Sequence, residues 1–324
     1  MKHKTFSCLR FAFFGLLLIA FAMPATAQKL DMEQFKGMKA RAIGPAGMSG
    51  RVTAVDVVLS NTDIIYLGTA SGGLWKSTSG GISWKPIFDD QPVASIGSIA
   101  IVQSNPDEVW IGTGEGNPRN SQTNGNGVYK SLDGGKTWTH LGLDATRNIH
   151  RIIVHPENAD VVFIGAQGAA WGDTPDRGVY KTTDGGKTWK KILYNNERTG
   201  IGELVMDPEN PNKLFAALWE FRRWPWFFKS GGPGSGLYVT VDGGENWTKR
   251  TDEDGLPKGE LGRMGLAIAR SNPNIVYALI EAKKNGLYRS EDGGLKWKLV
   301  TDSDRNMGSR PFYYFEIYVD PANE

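Results

Sequence analysis

Cysteine is nearly absent from this chain: Cys8 is the only one among 324 residues. It lies inside an N-terminal stretch that reads as a removable signal. The mature chain is therefore expected to have no disulfide, no thiol nucleophile and no lipid attachment site. Histidine is scarce as well, with four residues in all and no metal-ligand spacing among them, so no metal is expected. No cofactor is expected either, because the glycine-rich strings lack the strand–turn–helix context of Rossmann and Walker loops. Lysine and arginine form no run that would suggest nucleic acid as a partner. Apart from residues 11–23 there is no long hydrophobic run, and that one is shorter than the roughly 20 residues a bilayer span requires. No retained membrane span is expected. Helix-length apolar periodicity is also missing.

The N-terminus has the three-part layout of a secretory signal: Lys2, Lys4 and Arg10, the apolar run 11–23, then Ala25-Thr26-Ala27. Cleavage near Ala27 leaves a mature chain starting at Gln28, exported to the periplasm, the cell surface or the medium. Removing the signal takes three positive charges with it, and the formal net charge moves from +2 to −1.

What is abundant is a repeat. Ser131-Leu132-Asp133-Gly134-Gly135-Lys136-Thr137-Trp138 recurs at residues 182–189, 240–247 and 290–297, and in degenerate form at 77–84, where Ser79 replaces the Asp. The tryptophans at 84, 138, 189, 247 and 297 are 54, 51, 58 and 50 residues apart. A period of this length means stacked supersecondary units. Each period carries four short β-branched and aromatic runs separated by Gly, Asn, Asp and Pro, which is the grammar of a propeller blade. The Asp-Gly-Gly segment falls between the third and fourth strands, where Asp bonds its own backbone and Gly accepts positive φ. The expectation is an all-β chain, a β-propeller of four-stranded antiparallel blades with five complete blades and the start of a sixth. The blades span about residues 51–90, 91–144, 145–195, 196–252 and 253–303, with the next beginning in 304–324. Residues 28–50 form an N-terminal extension in which 39–44 are a candidate ring-closing strand. An open ring exposes strand edges, so further C-terminal blades or domains are expected in a longer protein.

These repeats are Asp-box, or BNR, repeats. The stretches Arg41-Ala42-Ile43-Gly44-Pro45-Ala46-Gly47-Met48-Ser49-Gly50-Arg51-Val52 and Gly68-Thr69-Ala70-Ser71-Gly72-Gly73-Leu74-Trp75-Lys76-Ser77 resemble large secreted bacterial propeller proteins of the sortilin-like or glycosyl-hydrolase-like kind. The resemblance covers residues 40–324 and implies the fold. For activity it implies one of two things: a non-catalytic, sortilin-like binding propeller for a peptide, protein or polysaccharide, or a glycoside hydrolase of the family 74 type acting on β-glucan or xyloglucan. Family 74 carries a catalytic Asp in a Thr-Asp-hydrophobic-Gly-Gly stretch, and here Ala70 of Thr69-Ala70-Ser71-Gly72-Gly73 holds that position. The binding reading requires no missing residue.

Strand alternation puts the second-to-third connections on the face opposite the Asp-boxes, and these are where extra length accumulates: residues 112–127, 165–178 and 217–236. They supply the candidate ligand-binding residues Glu115, Asn117, Arg119, Asn120, Trp171, Arg222, Arg223, Trp224 and Trp226. Crowded Arg and aromatic side chains suit sugar stacking or protein anchoring. The alternatives are a solvated polar loop in blade two and a satellite core in blade four. Aligned first strands place Ala54, Ser98, Arg151, Glu203, Gly265 and Glu316 at one radius of the ring. Glu203 and Glu316 are the candidate acid/base pair if the protein is an enzyme. Arg151 is a candidate ligand contact, or a structural ion-pair partner of Glu203 from the neighbouring blade.

Overall fold

Short runs of β-branched and aromatic residues punctuated by turn formers give strands of two to eleven residues, paired antiparallel throughout. The computed structural model describes residues 51–302 and 310–324, with Asp31, Glu33, Gly37 and Met38 of the N-terminal segment. The candidate signal segment 1–27 and the candidate closing strand 39–44 lie outside the described residues. The repeats fall within one compact unit, Pro45–Glu324.

Five sheets follow one another along the chain. Blade one has β1 (Val52–Val57), β2 (Ile64–Thr69), β3 (Leu74–Thr78) and β4 (Lys85–Pro86). Blade two has β5 (Ile96–Ile101), β6 (Val109–Thr113), β7 (Val128–Ser131) and β8 (Thr139–His140). Blade three has β9 (Ile149–His155), β10 (Asn158–Ala166), β11 (Gly178–Thr182) and β12 (Lys190–Leu193). Blade four has β13 (Thr199–Met206), β14 (Leu214–Trp224), β16 (Gly236–Thr240) and β17 (Thr248–Arg250), with the hairpin strand β15 (Phe227–Ser230) paired to the far end of β14. Blade five has β18 (Met264–Ile268), β19 (Val276–Ile280), β20 (Gly286–Ser290) and β21 (Lys298–Thr301). This is the propeller grammar expected from the sequence. Residues 312–320, expected to open a sixth blade, hold one helical turn, Pro311–Tyr314, and then a stretch with no ladder partner among the described residues. This segment docks through the buried Phe315 side chain and through the Phe312 carbonyl, which accepts from Arg263 at 2.6 Å. Among the described residues no helix is long and apolar enough to cross a membrane.

The Asp-box works as a local clamp. In blade two, Asp133 Oδ1 accepts the backbone N–H groups of Lys136 and Thr137, both at 2.9 Å, while the Ser131 hydroxyl accepts the Gly135 N–H at 2.8 Å. The hairpin then docks on the first turn of its own blade, with the Gly134 N–H donating to the Asp107 carbonyl at 2.9 Å. The same bond recurs from Gly80 to Asp63, Gly185 to Asp160, Gly243 to Asn212 and Gly293 to Asn274. In the degenerate box Ser79 takes over, its hydroxyl accepting the Ser83 N–H at 3.0 Å. Trp138 and Trp189 donate to the Ile87 and Leu141 carbonyls of the preceding blade at 2.8 and 2.9 Å, so these boxes also fasten blade to blade.

The core lies between successive blades. Ile96, Ile99 and Ile111 of blade two pack on Tyr66, Leu74 and Phe88 of blade one, and equivalent clusters fill the next three junctions. Glycine on the second strand makes the close approach possible. A Cβ on Gly68, Gly112 or Gly165 would stand 2.5, 2.4 or 2.9 Å from the next blade's Ile96, Ile149 or Ile201. Gly112→Val is therefore expected to destabilise the fold by about 1–3 kcal/mol through overpacking, measured as a lower urea midpoint at unchanged slope.

Hydrogen bonds from Thr188 hold the Asp184 carboxyl at about 2, below its ordinary value. Because the folded state lowers this pKa, the stability it contributes is complete above the unfolded carboxylate range and is lost as pH falls through about 2. Acid titration of unfolding should show that decline, and Asp184→Ala should lower stability at neutral pH while flattening it.

Candidate functional site

The three long connections are joined to one another on the face opposite the Asp-boxes. In blade two's loop, Glu115 is fully buried and its two carboxylate oxygens accept from Arg51 at 2.8 and 2.5 Å. Its carbonyl takes the side-chain amides of Gln122 and Asn148 at 2.6 and 2.8 Å. Glu115 thus anchors the loop to the strand entering blade one. The Asn117 side-chain oxygen accepts from Arg263 of blade five at 2.9 Å, and Asn120 accepts from Arg223 of blade four at 2.5 Å. Arg223 also donates to the Pro118 carbonyl at 2.7 Å. Arg119 is exposed, with its guanidinium 5.6 Å from the centre of the Tyr313 ring.

Blade three's loop is tied to the blade-four hairpin. The Arg223 N–H donates to the Ala170 carbonyl at 2.9 Å, and Asp173 accepts from Arg222 at 2.8 Å and from Arg198 at 2.9 Å. Beneath, buried Arg177 donates to the carbonyls of Gln167, Ala169 and Gly172 and lies 5.0 Å from the Phe221 ring centre. Burial pushes its pKa down to about 10. Trp171, 38% exposed, projects from the loop that Arg177 braces.

The blade-four insertion divides into two parts, a satellite core and an exposed tip. Trp219 stacks on Phe221 with ring centres 4.3 Å apart, and Phe228 and Phe312 complete a satellite core. Beyond it, the β14–β15 ladder carries Arg222, whose guanidinium lies 5.4 Å from the Trp224 ring centre. At the tip Trp226 is 84% and Phe227 57% exposed.

The first strands surround a channel of about 810 Å³ lined by Ala54, Ser98, Arg151, Glu203, Leu266 and Glu316 among others. Arg151 grips Glu203 with two bonds of 2.5 and 2.8 Å and reaches Glu316 at 3.4 Å. Burial works against the Arg151 charge, but Glu203 outweighs it and raises the pKa above the ordinary value. Burial also pushes the Glu316 carboxyl up, and the Arg151 and Arg263 charges with a Tyr318 hydrogen bond bring it below its usual range. Both candidate catalytic carboxylates thus sit on one guanidinium. Among the described residues no cluster of three or more His, Cys, Asp or Glu is placed to hold a metal.

Two residues at this site carried no sequence signal. Arg263, fully buried, bonds Asn117, the Phe312 carbonyl at 2.6 Å and His150 Nε2 at 3.0 Å. Its pKa is pushed down to about 10 by burial. His150 occupies the extra position of a β-bulge, between Ile149 and Arg151 in the pairing with β10, and a bulge re-aims its side chain. Burial and the two arginines hold its imidazole well below the usual pKa.

With this geometry in view, the relatives are informative. The family described as Sortilin-Vps10 (sortilin, neurotensin receptor 3) matches residues 126–256. A xyloglucanase of Paenibacillus sp. is 26% identical over 276 residues, covering 75% of this chain and 24% of that protein. An ancestral GH74 enzyme of known structure superposes with a TM-score of 0.62 at 19% identity, covering 84% of this chain and 33% of that one. The chain is a BNR-type β-propeller related to the GH74 xyloglucanases. A probable oligoxyloglucan-reducing end-specific xyloglucanase of Neosartorya fischeri is 26% identical over 224 residues, 58% of this propeller and 26% of the relative. The propeller therefore spans about a quarter of the length of these curated relatives.

Removing Arg151 would leave Glu203, whose side chain is 7% exposed, as an unpaired buried charge. Arg151→Ala is expected to cost on the order of 3–5 kcal/mol, read from denaturant unfolding.

Proposed function

We propose that the chain is a glycan-binding propeller whose contact face is the joined loops of blades two to four. The observation that carries this reading is the joining itself: Arg223 and Asp173 tie three loops into one surface that presents Trp171, Trp226 and Phe227 to solvent. Rigid exposed aromatic rings offer the flat apolar area on which sugar rings stack, at little entropic cost. Curated relatives named xyloglucanases favour a polysaccharide over the peptide ligand that sortilin-like architecture also allows.

Hydrolysis is the second reading, and the names of those relatives favour it. Within this chain the position where family 74 carries its Asp is Ala70, which is buried and accepts nothing through its side chain. A general acid for glycoside cleavage needs a raised pKa, and Glu316 is held below its usual range. These observations support binding for this part of the protein.

Affinity electrophoresis through a panel of soluble polysaccharides tests the proposal. At least one should retard the chain, and Trp171→Ala with Trp226→Ala should weaken retention about tenfold, the equivalent of ~1.4 kcal/mol, with thermal stability unchanged. Unaltered retention in the double variant counts against it. Release of reducing ends that Glu203→Gln stops would favour hydrolysis.

A further inference from the structure

We infer that the polysaccharide taken by this face is anionic, bearing carboxylate or sulfate groups. The inference rests on the glycan reading above and narrows it. Four arginines, Arg119, Arg198, Arg222 and Arg223, stand among the exposed aromatic rings. Among the described residues Asp173 is the one carboxylate in ion-pair range of any of them, and it serves both Arg198 and Arg222. The side chain of Arg223 meets only neutral acceptors, the Asn120 amide and the Pro118 carbonyl. Arg119 has the Tyr313 ring as its neighbour.

Two of the carboxylates near this charge are turned inward, whereas Glu197, next to Arg198, is exposed and Asp176 half-buried on the blade-three side. Glu115 is buried on Arg51. Glu220 is buried as well, accepting the Gly234 N–H at 2.9 Å with Lys229 at 3.9 Å. The part of the face around Arg119 and Arg223 is thus left rich in donors with no carboxylate partner among the described residues. Sugar hydroxyls both donate and accept, so a face for a neutral glucan needs acceptors as well as donors, whereas a guanidinium only donates. Its fork matches the paired oxygens of a carboxylate or sulfate. The excess is local: the whole chain has a formal charge of only +2, so general attraction of polyanions does not account for it.

The test is affinity electrophoresis of the whole chain in gels containing polygalacturonate, carrageenan or xyloglucan, which present carboxylate, sulfate or neither. Retardation by at least one anionic gel should exceed that by xyloglucan about tenfold. It should weaken in about 0.5 M salt, where screening shortens to a few ångströms. The gel that retards more strongly identifies the anionic group. Arg119→Gln and Arg223→Gln should each reduce retardation about three- to tenfold. Arg119 is exposed and braces no other loop through a hydrogen bond, so its substitution should leave the melting temperature unchanged. Trp226→Ala should also weaken retardation, which simple ion exchange would not show. Xyloglucan retarding the chain as strongly as either anionic gel overturns the inference and leaves the glycan reading standing. No retardation in any gel overturns both. Anionic retardation untouched by the two arginine substitutions overturns the inference.

Discussion

At three of the four blade junctions one blade is held to the next by an isoleucine seated against a glycine, Ile96 on Gly68, Ile149 on Gly112 and Ile201 on Gly165; at the fourth, Ala217 and Met264 share the core. A four-stranded sheet alone cannot bury both its faces, and stacking against neighbours supplies the missing core. Because the close approach occurs at the inner end of the second strand, it sets how near successive first strands lie to one another. That spacing lays Ser98, Arg151 and Glu203 along one wall of the channel, and it brings a guanidinium from blade three onto a carboxylate from blade four. The ion pair is therefore a product of blade spacing, and so is the reach of one blade's loops across the next.

The two faces divide the labour. On one, Asp-boxes close each third-to-fourth hairpin and pin it to the first turn of its own blade, a bond repeated in all five copies. The hydrogen bonds that Asp184 accepts from Thr188 also hold its carboxyl low, so the box is fully charged at neutral pH and its clamp is intact. On the other face a backbone bond at the end of the second strand recurs, from Ala70 to Arg51, Gly114 to Ser95 and Gln167 to Asn148, but the loops beyond it do not. The loops differ in length and composition, and they are fastened by contacts particular to each: Arg51 on Glu115, Arg177 on three carbonyls of its own loop, Arg223 across to Pro118 and Asn120. Buried arginines there meet mainly neutral carbonyl and amide oxygens, which holds irregular backbone in place without strand pairing. The result is a fixed surface with aromatic tips and an excess of cationic donors.

The repeating part of this structure was legible in the sequence because it is written locally. The Ser/Thr-x-Asp-Gly-Gly spacing gave the hairpins, the tryptophan period gave the blade count, and alignment of first strands placed Arg151, Glu203 and Glu316 together. The rest depends on contacts between residues far apart in the chain. Glu115 reads as a loop carboxylate until Arg51, 64 positions earlier, is found on it. Arg263 and Asn117 are separated by 146 positions, and no local pattern joins them. His150 was invisible because a bulge breaks the strand alternation from which side-chain direction is inferred. The segment 312–320 has the composition of a strand but no ladder partner among the described residues, and composition alone cannot supply one.

Hydrogen exchange of the chain with and without a polysaccharide that retards it tests the central claim, that ligand is met on the loop face of blades two to four. The account predicts slowed exchange in residues 112–127, 165–178 and 217–236, and unchanged exchange in the Asp-box hairpins at 131–138, 182–189, 240–247 and 290–297. Protection centred on those hairpins, or spread evenly over both faces, would contradict it.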